Sequence, residues 1–286
     1  MVVRRESIQE VSKLQQLKKI DCHTHIVTED MRDEYFSQTD GFAVVMQFLP
    51  AFVEHGYADD SYRTAMSDER LFFCPCIDLC GHIPKQLQKI ESMLPNDRIV
   101  GLKMYLTYQT GRADDEKMLD IYEFAKKHRL SITFHTGSCA LCLPSDNDIE
   151  GSNAIYVRRA ADMFPEVNFI LAHMDDPRYN ECIRVMRGSK NMFTDFCGAY
   201  EPGTKEGADM DWAINTFAEA INQYPDTYKQ ILYGTDFCPA INLSAIKEYE
   251  TTISRIFAED TFEDIYVNNA LRAFPKIKDY IERKVN

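Results

Sequence analysis

The chain reads Ile20-Asp21-Cys22-His23-Thr24-His25 where its first apolar run ends, and this stretch places two histidines two residues apart. Short runs of this kind are typical of strands, on which side chains two residues apart point to the same face. His23 and His25 are therefore expected to point together. Paired neutral imidazoles are a common means of binding zinc or a similar divalent ion. The pair alone fits a metal site and a hydrogen-bonded pair of core histidines about equally well.

Seven more apolar runs follow, each separated from the next by enough residues for a helix and its loops. The eight predicted strands are Lys19–Ile26, Phe42–Leu49, Leu71–Leu79, Val100–Leu106, Ser131–His135, Asn168–His173, Met192–Phe196 and Gln230–Asp236. Strands that alternate with helices indicate a parallel sheet with right-handed crossovers. Eight such units predict closure into an α/β fold of the (β/α)8 type, the TIM barrel.

Apolar residues recur near the helical period between the predicted strands. The predicted helices are Pro84–Leu94, Glu116–His128, Asn153–Phe164, Arg178–Arg187, Ala208–Asn222 and Leu243–Ala258. Residues 1–17 are expected to form a helical extension in which Glu6–Leu17 covers the bottom of the barrel, and Phe262–Arg283 is expected to supply the last helices. Since the sequence shows no linker or repeat, residues 1–286 are expected to form a single domain.

The composition narrows the class of protein. The chain has 286 residues, of which 45% are hydrophobic and 27% charged, as is ordinary for a globular protein. Its net charge of -13 argues against nucleic-acid binding, because phosphate backbones are bound by clustered Lys and Arg. Neither a signal-peptide pattern nor a run of eighteen apolar residues occurs. We expect a cytoplasmic protein that binds a small-molecule substrate, contacts no membrane and forms a homodimer, the commonest assembly.

Further polar residues fall at the ends of later predicted strands. His135 ends the fifth strand, His173 the sixth and Asp236 the eighth. Catalytic groups of (β/α)8 barrels lie at the carboxyl ends of the strands. Four of the seven histidines and an aspartate therefore converge, which favours a metal site over independent structural histidines. Asp21 is expected to point like His23 and to be a buried hydrogen-bonding partner instead of a ligand.

The order of these motifs resembles the amidohydrolase superfamily, and within it the amidohydrolase-related (amidohydrolase 2) group that includes decarboxylases of the aminocarboxymuconate-semialdehyde type. The motifs are Asp21-Cys-His23-Thr-His25, Gly101-Leu-Lys103, His135-Thr-Gly137, Leu171-Ala-His173-Met, Gly234-Thr-Asp236-Phe and Asn268-Asn-Ala-Leu-Arg-Ala-Phe274. The resemblance implies that one divalent ion, usually zinc, is held by His23, His25, His135 and Asp236. Manganese and iron suit the same ligands.

The resemblance also implies two catalytic residues. Asp236 is expected to accept a proton from water and to pass it to the leaving group. His173 is expected to lie beside the bound water or substrate, where it would orient the attacked group or stabilise its developing charge.

Three further residues at this end of the barrel complete the predicted site. Lys103 stands where binuclear members of the superfamily carry a carbamylated lysine between two metals. We favour the alternative of an uncarboxylated cation that binds a substrate carboxylate or joins an ion pair, so a second metal is not expected. Tyr105 shares the face of Lys103 and is expected to contact substrate. Asp175 is expected either to bind a cationic group of the substrate or to cap the following helix.

Three functions are compatible with this site. The first is hydrolysis of an amide, lactone or ester of a small polar metabolite through metal-activated water. The second is metal-dependent, non-oxidative decarboxylation of a small unsaturated or aromatic acid. The third is a non-catalytic barrel that only binds a ligand, and it is the least expected because a complete ligand set at spaced strand ends has no structural necessity.

Overall fold

The computed structural model describes residues 19–54, 56, 59–138, 149–198, 208–239 and 244–285. Seven parallel strands lie within these ranges, in two hydrogen-bonded groups that follow the order of the chain. The strands are β1 (Ile20–Thr24), β2 (Phe42–Met46), β3 (Leu71–Cys74), β4 (Gly101–Tyr105), β5 (Ser131–His135), β6 (Phe169–Ala172) and β7 (Met192–Thr194). Each overlaps the strand predicted at its place, and the prediction of seven of the eight strands is confirmed.

Isolated bridges join the two groups of strands where β3 meets β4. Phe73 pairs with Ile99, and Cys76 pairs with Lys103. The backbone N–H of Lys103 donates to the carbonyl of Pro75 at 2.9 Å. These bonds continue the parallel pairing from β3 to β4, so the strands run on as one curved wall.

The prediction of a regular eighth strand at Gln230–Asp236 is wrong. Residues 231–237 take its place between β7 and β1, bridging the first at Ile231 and the second at Phe237. Near the end of this segment Asp236 has a left-handed backbone, with φ of 52°, which a regular strand does not adopt. The segment still closes the wall, and the predicted (β/α)8 barrel is confirmed.

The helices lie around the barrel and at both of its ends. They are α1 (Glu29–Gln38), α2 (Pro50–Glu54), α3 (Ser61–Ser67), α4 (Ile83–Met93), α5 (Leu119–His128), α6 (Ala154–Met163), α7 (Tyr179–Met186), α8 (Ala208–Asn222), α9 (Ser244–Ile256), α10 (Asn269–Ala273) and α11 (Pro275–Val285). Those from α4 to α9 confirm the predicted helices. In the described part of the chain, no helix combines the length and the apolar composition that crossing a membrane requires.

The first three helices were not predicted, and α1 shows why. Its N-cap is Thr28, whose hydroxyl accepts from the N–H of Met31, and Glu29 and Asp30 favour its first turn. Only Tyr35 is buried on this helix. Because only one residue of the helix is fully buried, its sequence lacks the apolar periodicity that would predict a helix.

The lower end of the barrel is closed by the C-terminal helices. Leu271, Phe274 and Ile277 pack in the cluster that fills the barrel interior. The amide of Asn168, just before β6, donates to the carbonyl of Ala273 at 3.1 Å. Helices α10 and α11 therefore cover the bottom, a role predicted for Glu6–Leu17, which lies outside the described residues. The prediction of a single domain over residues 1–286 stays a prediction.

Candidate metal centre

A bulge in β1 aims its histidines into the barrel. Three steps along β1, from Asp21 to Thr24, match two steps along β2. The extra residue breaks the alternation of faces. Cys22 packs in the interior cluster, and the imidazole of His23 also lies inside, whereas the carboxylate of Asp21 accepts from Tyr35 on α1. Asp21 is a buried hydrogen-bonding partner as predicted, but the expectation that it points like His23 is wrong.

Three of the four predicted metal ligands meet above β1. His23 Nε2 lies 3.5 Å and His25 Nε2 lies 3.4 Å from Oδ1 of Asp236. One ligand atom from each of the three residues lies within 4.8 Å of the others. The backbone N–H of Asp236 donates to the carbonyl of His23 at 2.8 Å, which holds the carboxylate over the end of β1.

The hydrogen bonds on the far side of each ring decide where the protons are. His25 Nδ1 lies 2.9 Å from the carbonyl of Met46, which can only accept, so this nitrogen carries the hydrogen. His23 Nδ1 faces a carboxylate oxygen of Asp195 at 3.2 Å, with the same consequence. Both Nε2 atoms are then left with lone pairs that face Asp236.

The charge state of these groups makes a cation the natural occupant of the space between them. Burial lowers the pKa of His23 and of His25, so both rings are neutral near pH 7. Burial would raise the pKa of Asp236, but its histidine neighbours lower it overall, and the carboxylate is ionised. Two nitrogen lone pairs and a carboxylate oxygen therefore converge, which is a donor set for a divalent metal.

Lys103 is the cation closest to this donor set among the described residues. Its side chain is fully buried, and Nζ lies 3.2 Å from His23 Nε2. Burial lowers its pKa against the opposing pull of Asp236 and Asp195. Lys103 therefore belongs to the ion network inside the barrel, one of the roles expected of it.

The fourth predicted ligand, His135, faces His173 instead of Asp236. Its Nδ1 lies 3.0 Å from Nε2 of His173. The outer nitrogens of both rings face backbone carbonyls, those of Ser138 and Cys197, and carry the hydrogens. With a hydrogen on each outer nitrogen, the two facing nitrogens can bond only through a proton or a cation that lies between them. The rings of His173 and His23 lie 5.1 Å apart, which makes the two acceptor groups neighbours.

His173 begins a turn with three successive left-handed residues. The φ angles of His173, Met174 and Asp175 are 68°, 49° and 55°. Each such residue costs about 1–3 kcal/mol and persists only where its surroundings hold it. The N–H of His173 donates to Asp195 Oδ1 at 2.9 Å, and this bond fixes the start of the turn.

Asp175 lies at the end of this turn and is fully buried. Its carboxylate accepts from Arg178 Nη2 at 2.7 Å and from the backbone N–H of Ala154 at 3.0 Å. The pKa of Asp175 is raised to about 6, chiefly by burial. Of the two roles that the sequence leaves open, this arrangement matches the capping of a helix. The helix concerned is α6, which begins at Ala154, and not the helix that follows Asp175.

Gly198 allows Asp236 and His173, the two catalytic candidates, to pack closely against its backbone. Gly198 has φ of 69°, and a Cβ atom there would lie 2.7 Å from Oδ2 of Asp236 and 2.7 Å from Nδ1 of His173. Any larger side chain would collide with both. The backbone of residue 198 therefore forms part of the wall of the site.

Four aromatic side chains form a wall beside the histidines, and we call Phe48, Phe52, Tyr105 and Tyr108 the aromatic wall. Phe48 stacks on His25 with ring centroids 4.5 Å apart. Tyr108 lies 4.8 Å from the ring of His135, and Phe52 joins Tyr108 to Tyr105. The hydroxyl of Tyr105 donates to the carbonyl of Gln47 at 2.9 Å. Tyr105, a predicted substrate contact, is thus held by its hydroxyl next to the ligand set.

Asp195, which touches both His23 and His173, is not among the site residues predicted from the sequence. The predicted strand Met192–Phe196 includes Asp195, so the pattern predicts that this residue lies inside a strand and not at its end. The strand ends at Thr194, and Asp195 is the first residue beyond it. An aspartate in a strand of buried apolar residues was the available signal. Cys197 follows and packs its sulfur 3.4 Å from His23 Nδ1.

Comparisons with known proteins identify the family of the chain and agree with its fold. A family model described as amidohydrolase matches residues 20–276. A probable 2-pyrone-4,6-dicarboxylic acid hydrolase from Acinetobacter baumannii superimposes with a TM-score of 0.64 at 12% identity, over 91% of this chain and 100% of that one. A 4-oxalomesaconate hydratase from Rhodopseudomonas palustris gives 0.60 at 14% identity, over 93% and 98%. A 2,6-dihydroxybenzoate decarboxylase gives 0.60 at 13% identity, over 91% and 100%. No curated protein matches the chain.

Proposed function

Because this chain belongs to the amidohydrolase family, a family of metal-dependent enzymes, we propose that it hydrolyses an amide, lactone or ester bond in a small polar metabolite. The observation that carries the proposal is the convergence of His23 Nε2, His25 Nε2 and Asp236 Oδ1, three acceptor atoms that face one another. Such a set binds a cation, and the carboxyl end of a (β/α)8 barrel is where these enzymes hold their substrates.

The proposed cofactor is one divalent ion, zinc, with manganese and iron as the other metals that suit the ligands. His23, His25 and Asp236 would hold it, and His135 would join them through Nδ1, whose lone pair points away from its own backbone carbonyl partner. When bound, such an ion supplies a water of lowered pKa and polarises a substrate oxygen. The second nitrogen of each ring is already fixed by an acceptor, as is typical of metal-binding histidines.

Residues of the chain itself would accept the proton of the water and return it to the leaving group. Asp236 is ionised, as its lowered pKa requires, and can accept a proton and return it to the leaving group. His173 lies beside His135 and is held by the carbonyl of Cys197, so its Nε2 can orient the attacked group. These are the catalytic roles predicted from the sequence.

Lys103 is proposed as an uncarboxylated cation, and no second metal is proposed. Its amine donates to His23 Nε2 and lies 5.0 Å above the ring of Tyr105. A positive charge at this depth would attract a substrate carboxylate towards the donor set. Tyr105 is proposed to contact that substrate through its ring.

A second candidate function is non-oxidative decarboxylation of a small unsaturated or aromatic acid. The aromatic wall favours it, because Phe48 and Tyr108 lie against two of the proposed metal ligands. Flat π systems stack on such surfaces. The non-catalytic barrel is not proposed, since members of the family are enzymes.

The experiment that tests the proposal uses zinc-loaded protein and panels of amides, lactones, esters and unsaturated acids. Hydrolysis consumes water and conserves carbon in the summed products, whereas decarboxylation releases carbon dioxide. A variant with His23→Asn and His25→Asn is the control, and it should lose either activity. Release of carbon dioxide without hydrolysis would select the second candidate. Equal turnover by the parent and the control would overturn both.

The remaining predictions concern partners and location. We propose a small-molecule substrate, no nucleic-acid or membrane partner, a homodimer and a cytoplasmic location, on the grounds of composition given above. Measuring the mass of the protein in solution tests the dimer.

A further inference from the structure

Asp195 connects three strand ends of the barrel through one carboxylate. It follows β7 directly and is 1% exposed. Oδ2 lies 3.2 Å from Nδ1 of His23, the histidine within the bulge of β1. Oδ1 accepts from the backbone N–H of His173 at the end of β6, at 2.9 Å, and from the thiol of Cys197 at 3.1 Å. A single side chain thus contacts a proposed metal ligand and a proposed catalytic residue.

The contact with His23 determines its tautomer. The two hydrogen bonds that Oδ1 accepts favour the ionised carboxylate, which can only accept from His23, so it keeps the imidazole hydrogen on Nδ1 and leaves the lone pair on Nε2. Nε2 is the atom that faces Asp236 and Lys103. With the hydrogen on Nε2 instead, His23 would present a donor to Lys103 and could bind no metal there.

The contact with His173 determines its backbone. His173 has φ of 68°, and the N–H bond to Asp195 holds the first residue of the left-handed turn. The ring of His173 is held separately, by the carbonyl of Cys197. Because Cys197 also donates its thiol to Asp195, the segment after β7 fixes both the backbone and the ring of His173.

We propose that Asp195 is a positioning residue that sets the tautomer of His23 and the backbone of His173 together, so that both rings face the metal position. The proposal rests on the proposed function, since it assigns Asp195 to the same site. It differs from a purely structural role, which would stabilise the strand ends without deciding which nitrogen of His23 carries the hydrogen.

The variant Asp195→Asn separates these roles. His23 and His173 face different oxygens of Asp195, and an amide replaces one of these two acceptor atoms by a donor, so it cannot accept from both at their present positions. The backbone N–H of His173 cannot give up its proton, whereas an imidazole can move its own. We therefore expect the amide oxygen to keep the bond to His173, and the hydrogen of His23 to move to Nε2.

The test measures the tautomer of His23 and the affinity for zinc in the full chain. Nitrogen-15 NMR of histidine-labelled, zinc-free protein should show the hydrogen on Nδ1 in the parent and on Nε2 in Asp195→Asn. Zinc affinity, measured by competition with a chromophoric chelator, should fall about 10–100-fold, as is usual when a partner of a metal-binding histidine is lost. Combining Asp195→Asn with His23→Gln should add little to the loss caused by His23→Gln alone.

The matched control is Asp175→Asn, which changes an equally buried carboxylate that bonds Arg178 and the N–H of Ala154. It should lower thermal stability and leave both the tautomer and the zinc affinity unchanged. Hydrogen on Nε2 of His23 in the parent would overturn the proposal without any variant, as would parent-like zinc affinity in Asp195→Asn. If the parent binds no zinc but Asp195→Asn still moves the hydrogen of His23 to Nε2, the proposed function is overturned and the positioning role is supported.

Discussion

The two ends of this barrel differ in how their polar groups are satisfied. At the lower end, the amide of Asn269 donates to the carbonyls of Tyr228 and Ile231, and apolar side chains of α10 and α11 fill the interior. At the upper end, His23, His25 and Asp236 turn acceptors towards one another. The lower end has the contacts of a stable core, whereas the upper end has an arrangement that a bound cation would complete.

Backbone conformation follows the same division. Four of the five described non-glycine residues with left-handed φ lie at the upper end, namely His173, Met174, Asp175 and Asp236, and the fifth, Arg129, ends helix α5. Strain of this kind gathers where function requires it and is compensated elsewhere. Substitutions at the lower end are therefore expected to change the stability of the fold, and substitutions at the upper end are expected to change metal affinity and catalysis.

The largest effect is expected from Asp236→Asn at the upper end. The change removes both the carboxylate ligand and the proposed proton acceptor while it preserves size. Turnover should fall by about 10⁴-fold, the upper part of the range for loss of a general base. Steady-state kinetics of zinc-loaded protein measures it, with Asp226→Asn, an exposed aspartate of the turn before residue 231, as the control. Parent-like turnover would remove Asp236 from the mechanism.

The counterpart at the lower end is Phe274→Ala. Phe274 is fully buried in the interior cluster. Its truncation should lower the free energy of unfolding by about 3–5 kcal/mol, through lost burial and the cavity left behind. Denaturant titration measures the change. Zinc affinity of the folded variant should stay at the parent value, and a large drop in affinity would contradict the separation of the two ends.

A pH titration of zinc-free protein sharpens the comparison. Burial lowers the pKa of His135 well below 6.5, so the folded chain leaves this ring neutral while the unfolded chain protonates it. The ring therefore costs stability as pH falls below about 6.5, by at most about 1.4 kcal/mol per pH unit.

The variant His135→Gln should accordingly gain stability relative to the parent as pH falls from 6.5 to 5.5. Phe274→Ala, by contrast, should keep a constant difference from the parent over the same range. Denaturant titrations at several pH values measure both. A constant difference for His135→Gln would show that the ring is not held neutral.

The smallest effect is expected from two glycine substitutions with the same backbone. Gly198→Ala and Gly188→Ala place a side chain at φ of 69° and 75°, and this backbone conformation alone should cost each variant roughly 1–2 kcal/mol of stability. Only at Gly198 would the new Cβ meet Asp236 and His173, since nothing lies within 4 Å of a Cβ at Gly188. Zinc affinity should therefore fall in Gly198→Ala alone. Equal affinity in both variants would contradict the close packing around the site.

The barrel could be predicted from sequence because each buried parallel strand is a continuous apolar run. The runs that begin at Phe42 and Leu71 depend on no distant contact to be recognised. The helices before β3 could not be predicted in this way, because α1 is a polar helix that buries only Tyr35.

The histidines of the site could be predicted because they stand where the apolar runs end. Their orientation could not, since it depends on the bulge in β1 and on hydrogen bonds between distant strands. Asp195 lies 172 positions from His23 in the chain, and their contact exists only in the closed barrel. The role of Asp175 was equally hidden, because its partner Ala154 precedes it by 21 residues.

The central claim is that the upper end of the barrel holds one divalent metal ion. The most direct test is the metal content of protein purified without chelators or a metal-affinity tag, together with uptake of zinc on dialysis. The account predicts one equivalent of metal per chain, lost when His23 and His25 are both changed to Asn. Two equivalents would contradict the single ion, and a chain that holds no metal and takes up none would contradict the claim altogether.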